Sequence, residues 1–219
     1  MTISKIPVTI VTDTLCPWCY IGKKRFEAAI TQYKQIKGDS VEFQVSYEPF
    51  QLDPTLPKKG INKLQHYYTK FGKSRFDAMN VHVKNAGASV GINFSFTEDQ
   101  LVGNSFDSHR LIKYAGTLSH ESQDKVINSL YRAYFEEGKN LADVETLVEA
   151  GRAGGVDEKV VREQIFGADL LLKETQVAVD GIQSAGISGV PFFIIGNKFA
   201  ISGGQEPETF IKVFDKVIA

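Results

Sequence analysis

Two cysteines stand three residues apart near the start of the chain, in the order Cys16-Pro17-Trp18-Cys19. They are the only cysteines among 219 residues, which is too few for a disulfide-stabilised scaffold. A close pair of thiols is typical of redox chemistry, in which one thiolate attacks a disulfide and the second thiol resolves the mixed disulfide. The same spacing also fits half of a zinc site or an inert buried pair.

Metal binding is the main chemical alternative for these cysteines. A closed tetrahedral zinc site needs four ligands, so two more would have to come from elsewhere in the chain. None of the four histidines, His66, His82, His109 and His120, lies at short metal-ligand spacing from another, although folding could gather distant ones. We favour redox chemistry over the zinc site and the inert pair, and we expect no metal.

The elements around the cysteines favour an activated Cys16. The β-branched run at residues 8–11 predicts a buried strand that ends shortly before the pair, and Pro17 is typical of the first turn of a helix. Apolar residues recur at helical spacing over residues 18–36. Cys16 would therefore stand at a helix N-terminus, where free amide groups and the helix dipole stabilise a thiolate. We assign Cys16 as the attacking thiol and Cys19, one turn later, as the resolving thiol.

The first fifty residues predict a β-α-β unit. Residues 41–47 alternate apolar and polar side chains, as a strand with one buried face does. A right-handed crossover through the helix would leave the two strands parallel. A proline-rich connection, residues 49–60, then leads into a stretch of different character.

From residue 62 to residue 185 the pattern is almost wholly helical. Its predicted breaks fall at glycines: Gly87, Gly103, Gly116, Gly138, Gly154-Gly155 and Gly167. β character returns as a predicted antiparallel hairpin over residues 190–201, and a closing helix follows at residues 207–218. This order predicts an α/β protein in which a discontinuous domain, residues 1–61 and 186–219, carries an inserted helical domain, residues 62–185.

A second chemical feature is the segment Gly189-Val190-Pro191 at the start of the predicted hairpin. A proline that opens a buried strand is tolerated, because the first residue needs no donor for the ladder. If the bond before Pro191 is cis, the backbone of Val190 can face outward and pair with an extended substrate chain. Only about 5–6% of such bonds are cis in folded proteins, so an ordinary strand-opening proline stays the alternative.

Composition narrows the classes of function. Lysine and arginine total 25 against 26 aspartates and glutamates, which gives a net charge of −1. That balance argues against electrostatic binding of nucleic acid or of an anionic membrane, and the sequence has no run of eighteen apolar residues to span a bilayer. The first thirteen residues lack the apolar run and cleavage site of a signal peptide, so we expect a cytoplasmic protein.

Motifs along nearly the whole chain together resemble those of the thioredoxin superfamily, specifically its DsbA-like branch and, within it, the FrnE subgroup. They are DTLCPWCYIG at residues 13–22, PFQLDP at 49–54, NSFDSHRL at 104–111, LYRAYF at 130–135 followed by Gly138, GVPFF at 189–193 and GGQ at 203–205. The combination is more specific than any one of these motifs. Neighbouring families of this branch are the 2-hydroxychromene-2-carboxylate isomerases and the kappa-class glutathione transferases.

The resemblance implies a thioredoxin-like fold with an inserted helical domain that caps the active site. It also implies a thiol-disulfide oxidoreductase in which Cys16 is the nucleophile, Cys19 resolves, and Pro191, in cis, faces them. Two departures limit what carries over. Trp18 stands where DsbA has a histidine between its cysteines, so the strongly oxidising potential of DsbA is not assumed. The second cysteine pair of some FrnE-like proteins is missing from this sequence.

Further residues are candidate substrate contacts. Trp18 adds bulk beside the sulfur without adding charge, and the backbone of Val190 is a candidate partner for a bound chain. In the resembled family the helix start that carries Asn104 and His109 faces the catalytic cleft. Helix capping by Asn104 and a partly exposed His109 explain that pattern equally well. The aromatic stripe at residues 131–135 is more typical of a hydrophobic core than of a ligand site.

We therefore expect a thiol-disulfide oxidoreductase that acts on protein or glutathione mixed disulfides. No cofactor is expected to bind tightly, and glutathione is a candidate co-substrate. The alternative is a glutathione-dependent isomerase or transferase for a small aromatic substrate, although such neighbours usually need no resolving cysteine. A non-catalytic peptide binder or chaperone is a third hypothesis. The expected partners are protein thiols and disulfides or glutathione, and the expected oligomeric state is a monomer or a homodimer.

Overall fold

The computed structural model describes residues 3–218, apart from the side chain of residue 39, so the predicted domain ends at residues 1 and 219 lie outside the described residues. The strands are β1 (Ser4–Thr12), β2 (Val41–Pro49), β3 (Ile61–Asn62), β4 (Leu101–Val102), β5 (Phe192–Ile195) and β6 (Phe199–Ser202). The helices are α1 (Pro17–Lys37), α2 (Lys63–Phe71), α3 (Lys73–Ala88), α4 (Phe106–Leu118), α5 (His120–Phe135), α6 (Val144–Ala153), α7 (Leu172–Ser184) and α8 (Pro207–Ile218). A short 3-10 turn covers Gly38–Ser40, and a π-helical segment covers Val160–Phe166.

The central sheet has four strands in the order β2-β1-β5-β6. β1 and β2 run parallel, with Val8 opposite Val45, as a crossover through α1 requires. β5 lies antiparallel to β1, and β6 lies antiparallel to β5. The turn between β5 and β6 places Gly196 and Asn197 at φ values of 62° and 55°, a left-handed pair that suits these two residue types. The predicted hairpin therefore follows from its turn residues.

An aromatic cluster holds α1 and α8 against the sheet. The rings of Phe26 from α1, Phe193 from β5 and Phe210 from α8 meet with centroids 4.8 to 5.5 Å apart. All three side chains are buried, and burial of a side chain of this size contributes about 1.5–3 kcal/mol. The cluster fixes the position of α1 relative to β1, and hence the position of the cysteine pair at their junction.

The segment between β2 and β5 carries helices α2 to α7, of which α4, α5 and α7 contact β2. Residues 89–105 depart from the predicted helical pattern, because they contain no helix and β4 pairs there with β3 in antiparallel fashion. Ile92 and Phe94 are buried, whereas Gly91 before them and Asn93 between them are exposed. This two-residue period is that of extended chain and explains the departure.

Of the glycines that predict helix breaks, Gly116 lies inside a helix, whereas Gly87 lies at the end of one. Gly116 falls within α4, and α3 ends one residue after Gly87. A Cβ atom at Gly116 would lie 2.8 Å from Nε2 of Gln123 on α5, and a Cβ atom at Gly87 would overlap the ring of Phe94. Each glycine therefore permits close packing against a neighbour. At Gly116 the sequence shows the glycine without the neighbour, which is why it predicts a break there.

Candidate active site

The cysteine pair lies at the junction of β1 and α1. Cys16 is the N-cap residue of α1, with an extended backbone (φ −91°, ψ 113°), and Pro17 occupies the first turn. The amide of Cys16 donates to the carbonyl of Asp13 at 3.0 Å, and the carbonyl of Cys16 accepts from the amide of Cys19 at 3.1 Å. The local chain thus places Cys16 at the N-terminal end of α1, the end that carries free amide groups and the positive end of the helix dipole.

The two thiols are both free and buried, with Cys16 at 5% and Cys19 at 2% exposure. Burial raises the pKa of the Cys19 thiol well above its usual value, and the hydrogen bond and the charge of Cys16 raise it further. A hydrogen bond from Thr12 acts in the opposite direction. Cys19 is therefore a protonated thiol at neutral pH, and it can donate its hydrogen to a Cys16 thiolate.

Two hydroxyl groups, those of Thr12 and Tyr131, form a pair beneath the cysteines. Oγ1 of Thr12 lies 2.5 Å from the hydroxyl of Tyr131 on α5, and both side chains are buried. The ring of Tyr131 stacks on Tyr20 of α1 with centroids 5.0 Å apart. Burial raises the pKa of Tyr131 well above its usual value, so its hydroxyl is neutral. Tyr131 therefore belongs to the core, as its spacing predicts, and also orients a residue that touches the resolving thiol.

The segment that precedes β5 lies against Cys16, the predicted attacking thiol. Sγ of Cys16 lies 3.7 Å from the carbonyl oxygen of Val190, and the bond between Val190 and Pro191 is cis, as the resemblance implies. The carbonyl of Pro191 accepts a hydrogen bond from the amide of Gly203 at 2.8 Å. The structure thus brings Cys16, Val190 and Pro191 together from segments far apart in the chain.

Gly22 allows α1 to approach this segment. A Cβ atom at Gly22 would lie 2.9 Å from Cγ of Pro191 and 3.1 Å from Cα of Gly204. Distances this short are not tolerated between a Cβ and backbone or ring atoms without a shift of the chain. The glycine one turn after Cys19 is therefore required for the observed contact between α1 and the loops around β5 and β6.

A largely apolar cavity of about 310 Å³ opens beside Cys16. Cys16, Trp18 and Val190 lie in its wall, so three of the predicted site residues surround one space. Aromatic rings from the inserted segment form much of the remaining wall: Tyr67, Phe76, Phe96, Tyr134 and Phe135. The inserted segment thus covers the attacking thiol, as the resemblance implies.

Trp18 connects the active-site turn to α3. Its ring is 5.3 Å from the ring of His82, measured between centroids, and the two planes are tilted by 46°. Met79 and Val83 of α3 lie in the cavity wall on the same helix. Trp18 therefore joins the turn that carries Cys16 to α3. Its role as a substrate contact stays a prediction.

One cation lies in the cavity wall. Lys63, at the start of α2, is 1% exposed, and its Nζ donates to Oε1 of Gln100 at 3.2 Å. The same Nζ lies 3.9 Å from the ring centroid of Tyr134 and 5.0 Å from that of Phe96. Burial lowers the pKa of Lys63 to about 7. The burial of Lys63 is not predictable from the sequence, because a lysine in the first turn of a short helix is ordinarily exposed.

Asn104 lies away from the thiols and holds the proline-rich connection. Its Nδ2 donates to the carbonyl oxygens of Pro54 and Leu56 at 2.9 and 3.0 Å, and its Oδ1 accepts from the amide of Phe106 at 2.9 Å. The cap residue of α4 is Ser105, one position later than the predicted capping residue. These contacts assign Asn104 a positioning role, and a direct substrate contact by this residue stays a prediction.

His109 is buried rather than partly exposed, at 2% exposure. Its Nε2 lies 3.4 Å from Oδ1 of Asp13, which also accepts from the amide of Leu15 at 3.2 Å. Oδ2 of Asp13 accepts from the amide of Leu52 at 2.7 Å. His109 therefore supports the carboxylate that orders the turn before Cys16. Substrate binding by His109 stays a prediction.

Within residues 3–38 and 40–218, no cluster of three or more histidine, cysteine, aspartate or glutamate side chains is arranged to hold a metal ion. Among the described helices, none has the length and apolar character that crossing a membrane would require.

Several cavity residues were missed by sequence reasoning. The stripe at residues 131–135 was assigned to the core, yet Tyr134 and Phe135 are both core residues and cavity walls. Tyr67 and Phe76 come from α2 and α3, far from the cysteines in sequence. Helical spacing distinguishes a buried face from an exposed one, but it carries no information on whether that face borders a cavity.

Comparison with known proteins assigns the family. A family model described as a DSBA-like thioredoxin domain matches residues 7–215. Among solved structures, a probable DsbA oxidoreductase from Streptomyces coelicolor is 27% identical and covers 97% of this chain and 90% of its own, with a TM-score of 0.85. Both the match to the family and this likeness extend over nearly the whole chain.

Two more distant structures share the fold. A 2-hydroxychromene-2-carboxylate isomerase is 15% identical over 97% of this chain and 96% of its own, with a TM-score of 0.67. The cytosolic disulfide reductase DsbM from Pseudomonas aeruginosa, solved with GSH, is 16% identical over 97% of this chain and 98% of its own, with a TM-score of 0.65. The predicted thioredoxin-like fold is confirmed, and the chain belongs to the family of DSBA-like thioredoxin domains.

Proposed function

We propose that this chain is a thiol-disulfide oxidoreductase in which Cys16 attacks and Cys19 resolves. The observation that carries the proposal is that the two thiols differ in position and in surroundings. Cys16 caps a helix and lines the cavity, whereas Cys19 lies deeper and its pKa is raised, mainly by burial. A thiol at a helix N-terminus is suited to attack a substrate disulfide. A buried protonated thiol beside it is suited to react only after the mixed disulfide has formed.

The reaction transfers two electrons. A Cys16 thiolate attacks one sulfur of a substrate disulfide, that S–S bond breaks, and one thiolate leaves while the other half stays bound to Cys16. Cys19 then loses its proton and attacks Sγ of Cys16, which forms the Cys16–Cys19 disulfide and releases the second thiolate. An external thiol restores the dithiol, and the same steps in reverse oxidise a substrate dithiol.

Protein or glutathione mixed disulfides are the proposed substrates, with glutathione as a co-substrate and no tightly bound cofactor. The neighbouring fold of a cytosolic disulfide reductase solved with GSH supports this proposal and the proposed cytoplasmic location. Placement in the FrnE subgroup is compatible with the family match. We retain a monomer or a homodimer as the proposed assembly, and protein thiols and disulfides as partners.

A glutathione-dependent isomerase or transferase for a small aromatic substrate is the second candidate. The aromatic cavity beside Cys16 favours it, as does the shared fold of a 2-hydroxychromene-2-carboxylate isomerase. The buried Cys19 disfavours it, because an isomerase of this kind needs no resolving thiol. Glutathione-dependent isomerisation that persists in a Cys19→Ala variant would move this candidate to the front.

Two cysteine variants and a measurement of the reduction potential of the cysteine pair test the proposal. Cys16→Ser is expected to abolish turnover, and Cys19→Ser is expected to accumulate a mixed disulfide that mass spectrometry detects. Trp18 is the only tryptophan, so its fluorescence during a glutathione titration reports the reduction potential of the pair. A single two-electron transition supports the proposal. Equal residual activity in the two variants, or no disulfide at any potential, contradicts it.

A further inference from the structure

Among the side chains that the structure describes, Lys63 carries a buried ammonium group without a counter-ion. Oε1 of Gln100 accepts a hydrogen bond from Nζ, and within residues 3–38 and 40–218 no carboxylate lies within 4.0 Å of it. An ammonium group carries three donors, so two of them find no acceptor in this arrangement. The aromatic rings of Tyr134 and Phe96 attract the charge but accept no ordinary hydrogen bond.

A lysine in this position costs stability. Taking a charge out of water is unfavourable unless an opposite charge compensates it, and burial accordingly lowers the pKa of Lys63 to about 7. Methionine or leucine would fill the same wall without that cost. An anion entering the cavity would supply the missing compensation and use the two free donors.

The remaining wall determines what else such a ligand must be. The cavity volume of about 310 Å³ is roughly twice the 150 Å³ that suffices to enclose benzene in a protein interior. Tyr67, Phe76 and Phe96 offer ring faces and edges for stacking. A ligand that satisfies both the rings and the ammonium group is therefore a single aromatic ring that carries a carboxylate.

Cys16 lies in the wall of the same cavity, which connects the anion site to the reaction. Cys16 is only 5% exposed, and Met79 and Val83 of α3 line the same cavity. A folded protein disulfide therefore finds almost no surface of Cys16 to contact from outside, whereas a small disulfide that fits the cavity reaches Cys16 from within it.

We propose that the cavity is a specificity site for small disulfides that carry an aromatic carboxylate, with the carboxylate held by Lys63 and the sulfur presented to Cys16. The proposal rests on the oxidoreductase function proposed above and names its substrate class. Lys63 acts here as a specificity-determining residue. The reaction itself is unchanged: two electrons pass from the dithiol to the aromatic disulfide, two aromatic thiols leave, and an external dithiol such as dithiothreitol reduces the enzyme again.

Two matched substrates test the proposal: bis(4-carboxyphenyl) disulfide and its neutral amide, bis(4-carbamoylphenyl) disulfide. The measured quantity is kcat/KM for each, in the wild type and in Lys63→Met. We expect Lys63→Met to lose about 10-fold or more on the acid, as for one charge-assisted hydrogen bond, and less than about 2-fold on the amide. Comparing the two enzymes on each substrate cancels the difference between the leaving groups.

Two further variants separate charge from structure. Lys63→Arg is expected to retain most of the preference for the acid. Lys70→Met removes a charge from the exposed end of the same helix, outside the cavity wall. It is expected to leave kcat/KM for both substrates unchanged. Equal losses on acid and amide in Lys63→Met would overturn the proposal, because they would show a structural role alone.

The pH dependence gives a readout that a structural role would not move. The titratable or charged groups facing this region are Tyr67 of α2, Tyr134 of α5, Lys84 of α3, which lies 5.6 Å from the Phe96 centroid, and Cys16 across the cavity. The two tyrosines stay neutral, since burial raises the pKa of Tyr67 to about 12 and that of Tyr134 well above its usual value. The ratio of acid to amide kcat/KM should therefore fall as pH rises through about 7.

The outcomes distinguish this proposal from the proposed function. If wild type turns over the amide and hydroxyethyl disulfide but shows no preference for the acid, the specificity proposal fails and the oxidoreductase function stands. If no disulfide is turned over, the oxidoreductase function fails. A higher kcat/KM for insulin disulfides than for the aromatic acid would also overturn the specificity proposal, because it would assign the site to proteins.

Discussion

Sγ of Cys16 lies 3.7 Å from the carbonyl oxygen of Val190, although the two residues are 174 positions apart in the chain. The first belongs to the turn after β1, and the second precedes the strand that pairs with β1 from the other side. In the proposed reaction, a substrate sulfur that approaches Cys16 therefore meets the backbone of Val190 at the same time. The site is thus an interface between two segments, and its geometry depends on how closely they pack.

Gly22→Ala is expected to separate these segments. The new Cβ would lie 2.9 Å from Cγ of Pro191 and 3.1 Å from Cα of Gly204, so either α1 or the neighbouring loops must move. Overpacking of this kind costs about 1–3 kcal/mol. We expect a lower free energy of unfolding in urea and a lower kcat/KM for disulfide reduction.

A glycine with open space around it provides the control for this variant. Gly181 lies inside α7, and a Cβ there would meet nothing within 4 Å. Gly181→Ala is expected to be neutral or to stabilise the protein by up to about 1 kcal/mol, because alanine favours a helix. Equal stability of Gly22→Ala and the wild type would show that the packing around Pro191 is looser than the structure indicates.

The raised pKa of Cys19 predicts slow alkylation. In a Cys16→Ser variant, burial, the largest cause of the shift, still acts on the Cys19 thiol. Iodoacetamide reacts with thiolates, so the alkylation rate of the folded protein should be low near pH 8 and should rise toward pH 10. Mass spectrometry of timed samples measures the rate.

Alkylation of the same variant unfolded in urea separates pKa from access. If burial merely blocked the reagent, the ratio of folded to unfolded rates would be the same at every pH. A raised pKa makes that ratio climb between about pH 8.5, where an unfolded thiol ionises, and higher pH. A constant ratio would contradict the pKa shift.

Thr12→Val is expected to slow the second step of the reaction. The hydrogen bond from Thr12 lowers the pKa of Cys19. Loss of this hydrogen bond raises that pKa, so a smaller fraction of Cys19 is present as the thiolate that resolves the mixed disulfide. One hydrogen bond contributes about 0.5–1.5 kcal/mol, which corresponds to roughly a 2- to 10-fold slower resolution. Rapid-quench analysis of the mixed disulfide should show it accumulating, while its rate of formation at Cys16 stays the same.

The double variant Thr12→Val with Tyr131→Phe controls for an unpaired tyrosine hydroxyl, because Tyr131 pairs with Thr12 in the wild type. Removing both partners should restore stability relative to Thr12→Val alone but not the rate of resolution. Thr9→Val on the same strand serves as a second control. A slowed first step in Thr12→Val would indicate that the strand end had shifted, and not that Cys19 alone was affected.

Lys63→Met is expected to stabilise the protein, and the gain should depend on pH. The folded-state pKa of Lys63 is lowered to about 7 from 10.5, so its charged form is disfavoured on folding. Below pH 7 the lysine is protonated in both states and the wild type carries the full cost. Between pH 7 and 10.5 the folded state releases the proton that the unfolded state retains, so wild-type stability rises.

Urea unfolding of wild type and Lys63→Met at pH 6, 8 and 10 measures this effect. Replacing a buried charge by an apolar side chain of similar size stabilises proteins by about 1–4 kcal/mol in favourable cases. We expect the advantage of the variant to be largest at pH 6 and to shrink toward pH 10. An advantage independent of pH would show that Lys63 titrates normally in the folded state.

The local features of this protein follow from short stretches of its sequence. The strand before Cys16, the helix from Pro17 and the turn at Gly196 and Asn197 each follow from residue type and period over a few neighbouring positions, and the structure contains all three. The motifs around them sufficed for the family, which the comparison confirms. The position of α1 alone determines that Cys16 stands at the start of the helix and Cys19 one turn later.

The surroundings of those features depend on how the whole chain folds. Lys63, Tyr67 and Phe76 line the cavity beside Cys16 because α2 and α3 form part of its wall, and His109 is buried next to Asp13. The raised pKa of Cys19 and the lowered pKa of Lys63 both arise mainly from burial. Burial depends on what packs against a residue from distant parts of the chain, and that information is absent from a local pattern.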